Sequence, residues 1–482
     1  MKNIYINTYR TVAILFAFIS FSSCEKYLEI PLPTNSLSTE SAFKSKSVID
    51  GMMNQMYITF VDNVAIPRFG IRVAEVMCDN GYNPTTTDLL EFQTNNITSA
   101  SSLFLTWSGV YRAVYMANTM LEGLPDASAV GLTQSIKDQY IAAALTVRAM
   151  ANFQLVRCWG DVPLILSTNV EENKLKARTP KAEVYAQIEA DLKKAITLLP
   201  ATLGARYFIN NKFIPEAILA NVYLTEGKWT DAEAAATDII GSGKFQLVNV
   251  ADVFLQTSAE TIMATGYTMY FNDKALKYAC PGAYVILPVG AYKIVYENQL
   301  PSLSESLLNS FEPGDLRRTN WTITSNAGGY SNPLNRVFSY KYKYNGITDP
   351  TVVIPEGRED DQKFMRLAEV YLIRAEARAS KTSPDLTGAA ADLNLIRNRA
   401  GLVNTTAATQ NALVDAILKE RRVELFYENF TRWFDLIRTN KADAVYSAIS
   451  YKAANWKPYM KLFPIPDTEL SCNPNLTPNP GY

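Results

Sequence analysis

The chain has 482 residues, with 46 Lys plus Arg against 47 Asp plus Glu and a formal net charge of −1. Its charge therefore calls for neither a nucleic-acid partner nor a polybasic hold on anionic lipid. The absence of histidine removes the commonest general base, the Ser-His and Cys-His pairs and the His-containing zinc sites.

At the start of the chain, Lys2 and Arg10 give a positive region ahead of an uncharged apolar run of eleven residues, Thr11 to Phe21. That run is short for a membrane span but suits the apolar core of a signal peptide. It ends in Phe21-Ser22-Ser23-Cys24, which looks like a bacterial lipobox, with Phe21 where Leu is usual. Residues 1–23 are expected to be a lipoprotein signal peptide and Cys24 the lipidation site. Several acyl chains, at about 0.8 kcal/mol per buried CH₂, make a durable anchor. The alternative is an ordinary cleaved leader that leaves Cys24 a free thiol. Cys78, Cys158, Cys280 and Cys472 are far apart, without metal-ligand spacing, and are expected to be mostly buried thiols.

Helical periodicity dominates from Trp107 to Ile240. It passes through Trp107 to Tyr111, then Gln139 to Trp159, Val184 to Leu199 and Ile214 to Ile240. In the last stretch Ala217, Ala220, Tyr223 and Leu224, then Ala232, Ala235 and Ile239, recur at helical spacing on either side of a turn at Gly227. Helix, short Gly turn, helix is the tetratricopeptide pattern. Lys363 to Ser380 and Leu386 to Arg399 predict a second such pair, closed by Gly401. Trp107, Trp159 and Trp433 fall inside helical motifs and are assigned to the core.

Between about 245 and 360 the periodicity fades into a segment rich in Tyr, Gly, Asn and Pro, with Val337 to Tyr344 alternating as a strand does. A shorter loop covers Asp79 to Pro84. Long irregular segments on a regular scaffold tend to carry function. Ligand-binding candidates are Asp79, Asn80 and Tyr82 in the first loop, with Tyr292, Tyr296, Trp321, Asn326 and Tyr330 in the second. Flat rings for the CH face of a sugar and amides or carboxylates for its hydroxyls are the pieces a glycan pocket needs; the same residue types also serve a peptide.

Catalytic readings are weaker. Arg421, Glu424, Glu428, Arg432 and Asp435 are spaced three, four, four and three, so one helix would place them on one face. Paired carboxylates suit glycoside hydrolysis, but carboxylates alternating with arginines stay ionised, whereas a general acid needs its pKa raised. A structural ion-pair ladder joining the last helix to its neighbours is the preferred reading. Glu359-Asp360-Asp361 lacks the alternating spacing of a calcium loop and is read as a solvated turn. The sequence has no P-loop, GxGxxG or GxSxG elbow, so no metal or cofactor is expected.

Four stretches together resemble one family. They are Cys24 to Glu29; Arg148 to Leu164; Arg366 to Leu402, with LAEVYLIRAEA and LNLIRNRAGL; and ILKERRVELFYENFTRWFDLIR followed by LFPIPDTELSCNPNLTPNPGY. In this order they are similar to the SusD/RagB outer-membrane nutrient-binding lipoproteins, over the whole of residues 24–482. Asn429 stands where a Gly is usual, Arg432 falls one place late, and Thr477-Pro478 replaces a common Gln.

The resemblance implies a mostly α fold, a tetratricopeptide-like helical scaffold with an irregular, loop-rich ligand-binding region. It also implies a surface-exposed, lipid-anchored position on the outer membrane and a SusC-type TonB-dependent transporter as partner. Oligosaccharide would be bound and delivered without catalysis. A peptide-binding member of the family and a surface glycoside hydrolase are the alternatives.

Overall fold

The computed structural model describes residues 39–65, 70–83, 89–101, 104–265, 301–325, 336–343 and 360–482. The predicted leader, Cys24, Cys280, Glu359 and four ligand candidates (Tyr292, Tyr296, Asn326 and Tyr330) lie outside these residues.

The first layers are helical. Helix α1 (Lys46–Phe60) runs into one π-helical turn, and α2 (Gly70–Met77) leads to the short strand β1 (Gly81–Tyr82). After α3 (Leu90–Gln93) come the long antiparallel partners α4 (Phe104–Gly123) and α5 (Gln134–Trp159). Helix α5 is buried along nearly its whole C-terminal two-thirds, because it packs on α4 on one side and on α6 (Lys181–Leu198) on the other. A helix enclosed this way needs small residues all round, and Ala142, Ala143, Ala144, Ala149 and Ala151 provide them. Within this stretch Arg148 grips Asp191 of α6 at 2.7 and 2.8 Å and Asn118 of α4 at 3.0 Å. One planar guanidinium thereby fixes the alignment of three helices.

The next pair is α7 (Phe213–Glu226) and α8 (Trp229–Gly241). Gly227 closes α7 in the left-handed region at φ 73°, the conformation a Gly adopts at no steric cost. The helical thread resumes with α9 (Leu367–Ser380) and α10 (Leu386–Arg399), which Asp385 caps by accepting from Gly388 N at 2.8 Å. Helix α11 (Gln410–Glu424) follows, then α12 (Thr431–Arg438). Neighbouring helices pack in pairs along this thread, and α8 and α7 also meet α9. The predicted scaffold is therefore observed, with Trp107, Trp159 and Trp433 in its core.

Two details differ from the sequence reading. Residues Gln362–Arg366 form a strand, so α9 begins at Leu367 rather than Lys363; the strand pairs antiparallel with Thr261–Thr265. Cys78 and Cys158 are buried as expected, but Cys472 is exposed.

The middle region carries its own small core. Strands Thr322–Ser325 and Arg336–Ser339 pair antiparallel, confirming a strand in the alternating segment predicted from Val337. Val253, Phe254, Leu307, Trp321, Tyr342 and Phe426 pack together there.

Candidate functional site

The two irregular zones singled out in the sequence come together in space. Strand β1 pairs antiparallel with Ser302–Leu303, Gly81 opposite Leu303 and Tyr82 opposite Ser302. Hydroxyls finish the seam: Ser304 Oγ donates to Asp79 O at 2.5 Å and Ser302 Oγ to Tyr82 O at 3.0 Å.

Asp79 anchors the seam from below. Arg432 donates to its carboxylate at 2.7 and 3.0 Å, and Arg422 lies 2.9 Å away. Burial works against its charge, but the Arg432 hydrogen bond and both guanidinium charges hold the carboxyl below the ordinary range. Asn80 is fully buried, its Oδ1 accepting from Arg422 Nε at 2.9 Å. Asp79 and Asn80 are thus supports of the loop and offer no face to a ligand. The sequence reads them as contacts, since Asp and Asn in a loop look alike whether they face water or an arginine.

Tyr82 is different. It is 36% exposed, and its ring leans on Tyr451 at 5.3 Å between centroids, tilted by 48°. Lys452, next to Tyr451, is buried and donates to Val76 O, Met77 O and Gln93 O at 2.7, 3.0 and 2.7 Å. Those carbonyls belong to the C-terminal ends of α2 and α3, where a cation is favoured. The aromatic pair therefore sits on a tightly bonded base. Sequence reasoning missed Tyr451, whose only signal was an adjacent Tyr-Lys near the end of the chain.

Trp321 is a correction. It is 1% exposed, its Nε1 donates to Val250 O at 2.8 Å, and its ring meets Phe254 edge-on at 5.3 Å. A fully buried Trp with its N–H satisfied is a core residue.

The Arg421 to Asp435 array is ion-paired as expected and corrected only in its geometry. Helix α11 stops at Glu424, and Tyr427, Asn429 and Phe430 all take positive φ, 50–58°. Asn429 thus occupies a left-handed position, where Gly fits best and Asn is tolerated. The five charges consequently divide between two helices and the turn joining them. Glu424 meets Arg366 at 2.5 Å, Arg317 at 2.9 Å and also Arg399; Glu428 meets Arg366 at 2.9 Å and Lys341 at 2.5 Å. Burial raises the pKa of both carboxyls, but these cations more than offset it and leave Glu424 well below the usual value. The expected ion pairs to neighbouring segments are therefore present, reaching Arg317, Lys341, Arg366 and Arg399, but the five charges do not share one helix face.

The acidic run differs as well. Asp360 and Asp361 are buried, Asp361 paired with Lys363 and Asp360 accepting from Lys343 N, so they are not a solvated turn. Among the described residues no group of His, Cys, Asp or Glu has the arrangement to hold a metal.

A second surface lies on the helical side. An open groove of about 400 Å³ is bounded by Trp107, Tyr111 and Tyr115, with Lys174, Glu469 and Asn473 among its polar groups. The aromatics recur every four residues along α4, which lays them on one helix face. Trp107 is core, but Tyr115 is 48% exposed.

Comparison with known proteins places this architecture. Residues 314–482 match the family model described as SusD family, and residues 26–224 match the one described as starch-binding, associating with outer membrane. The chain belongs to the SusD/RagB family. SusD-like protein P38 of Formosa agariphila is 27% identical over 100% of this chain and 99% of its own length. The starch-binding protein SusD of Bacteroides thetaiotaomicron is 29% identical over 33% of this chain and 28% of its own. Among solved structures, a laminarin-binding SusD-like protein superposes with a TM-score of 0.74 at 24% identity, covering 91% of this chain and 100% of that one. A SusD superfamily protein from Bacteroides vulgatus gives 0.75 at 19%, with the same coverage. These likenesses confirm the mostly α, SusD-like fold.

Proposed function

We propose that this protein binds oligosaccharide at the cell surface and delivers it to a SusC-type TonB-dependent transporter without altering it. Cys24 would be its lipid anchor to the outer membrane. The observation that carries the reading is the Tyr82–Tyr451 pair, a partly exposed aromatic surface on a tightly bonded base, placed at the seam where β1 pairs with Ser302–Leu303. Sugar rings stack on such faces, and neighbouring loops supply polar partners. Family membership and relatives named for starch and laminarin binding point the same way.

The carboxylates of the 421–435 array argue against a role in hydrolysis. Glu424 and Glu428 are bound by cationic side chains and held ionised, whereas a glycosidase acid must keep its proton. Glu75 has a raised pKa but is 1% exposed beneath β1, out of reach of a polysaccharide.

Calorimetric titration of the purified chain against plant, host and microbial glycans and a peptide digest, with product analysis of each mixture, tests this. Saturable binding of one glycan class without products is expected. Released products would overturn the non-catalytic role, and binding of peptides alone would replace the cargo. Comparing Tyr82→Ala with Tyr115→Ala tells the loop surface from the groove on α4.

A further inference from the structure

Away from either surface, α5, α7, α9, α11 and α12 enclose a cavity of about 50 Å³, room for roughly four waters. Three arginines line it, and they are not equally provided for. Arg438 is matched by Glu376 and Asp435. Arg421, 2% exposed, gives its Nε to Asp435 at 2.8 Å, but its buried Nη1 has no acceptor among the described residues.

Arg157 is held more unusually. Its guanidinium lies between the rings of Phe153 and Phe434, 3.9 and 4.0 Å from their centroids. Its one hydrogen bond among the described residues is from Nη2 to Gln154 Oε1 at 3.0 Å, and its Nε is buried without an acceptor. Arg157 is half-buried, and a cation largely out of water with no contacting anion among the described residues is costly; desolvation lowers its pKa to about 10, with Glu369 and Asp435 only partly opposing. Glu369 accepts from Asn221 at 3.2 Å instead.

We propose that this cavity binds one small carboxylate, received by the free N–H groups of Arg157 and Arg421. Two guanidinium donors on separate helices suit an anion with two oxygens, whereas a halide offers a single centre. Asp435 on the same wall, held ionised by Arg421 and Arg438, repels a dianion more than a monoanion, so sulfate and phosphate are disfavoured. The available volume admits formate, acetate or a terminal carboxylate and little more. Bound there, it bridges α5 and α11. This site is independent of sugar capture.

The test uses the full chain in detergent, melted and titrated in sodium acetate against sodium chloride at equal ionic strength. Acetamide serves as the neutral isostere and sulfate as the dianion. Acetate is expected to raise the melting temperature saturably, and acetamide and sulfate are not. Arg157→Met, which keeps the apolar stem between the two phenylalanine rings, is expected to weaken acetate binding at least tenfold. Should that variant fail to fold, Arg157→Lys keeps the charge, loses the planar fork, and is expected to weaken it too. Acetate no better than chloride in the unsubstituted chain overturns the proposal, as does undiminished acetate binding in either folded variant.

Discussion

Arg432 donates its Nε–H to Asp79 Oδ1 at 2.7 Å, joining residues 353 positions apart in the chain. That bond ties the start of α12 to the loop beneath Tyr82, and Arg422 reinforces it from the last turn of α11. The ion-pair system of α11 and α12 and the candidate ligand surface are therefore mechanically one unit.

Arg432→Ala should destabilise the protein by about 3–5 kcal/mol, because it leaves a buried carboxylate short of a partner. The folded pKa of Asp79 is depressed, so its contribution is present above the unfolded carboxylate pKa and is lost as pH falls through the folded one. Asp79→Asn should accordingly flatten the acid limb of a stability-versus-pH curve. Urea melts from pH 2 to 7 check both, and an unchanged acid limb would refute the role given to Asp79.

Glu75 has the opposite sign. Burial raises its pKa to about 7, so between the unfolded value and pH 7 the native state keeps a proton that the unfolded chain releases. Its effect is therefore a loss of stability as pH rises through that window, on the order of 3 kcal/mol when complete. Glu75→Gln should be more stable than the parent at pH 8 and close to it at pH 4. Thermal melts at those two values decide the matter.

Gly81 admits no side chain. A Cβ there would lie 2.9 Å from both C and O of Glu75, which are backbone atoms and yield little. Gly81→Ala should cost about 1–3 kcal/mol and shift β1, weakening glycan binding through Tyr82. A variant with parental stability and affinity would show that the seam tolerates displacement.

Tyr82 and Trp321 should separate cleanly. Tyr82→Ala is expected to reduce glycan affinity about 10–100-fold while changing stability by under about 1 kcal/mol, as surface substitutions do. Trp321→Ala removes a fully buried ring and should cost about 3–5 kcal/mol. Denaturant melts and calorimetry on both variants test the assignment. Direct contact of Trp321 with ligand would appear as lost affinity at retained stability.

Much of the molecule is legible in the amino-acid sequence. Periodic Ala and Tyr place α5 to α8, and Gly227 and Gly401 mark helix ends, because helical patterning and left-handed caps are local properties recorded in a few adjacent residues. Four ordered motifs are enough to point to the family.

Where side chains face is settled only by tertiary structure. Asp79, Asn80 and Trp321 have the composition of a ligand loop, yet each is buried, two by arginines of α11 and α12 and one by the rings of Phe254 and Phe426. Tyr82 has the same composition and stays at the surface. The helix expected through residues 421–435 breaks at three left-handed residues, sending its charges to different partners. Burial and ion pairing are relations between segments far apart in the chain, from tens to hundreds of residues, and no local pattern encodes which segments will meet.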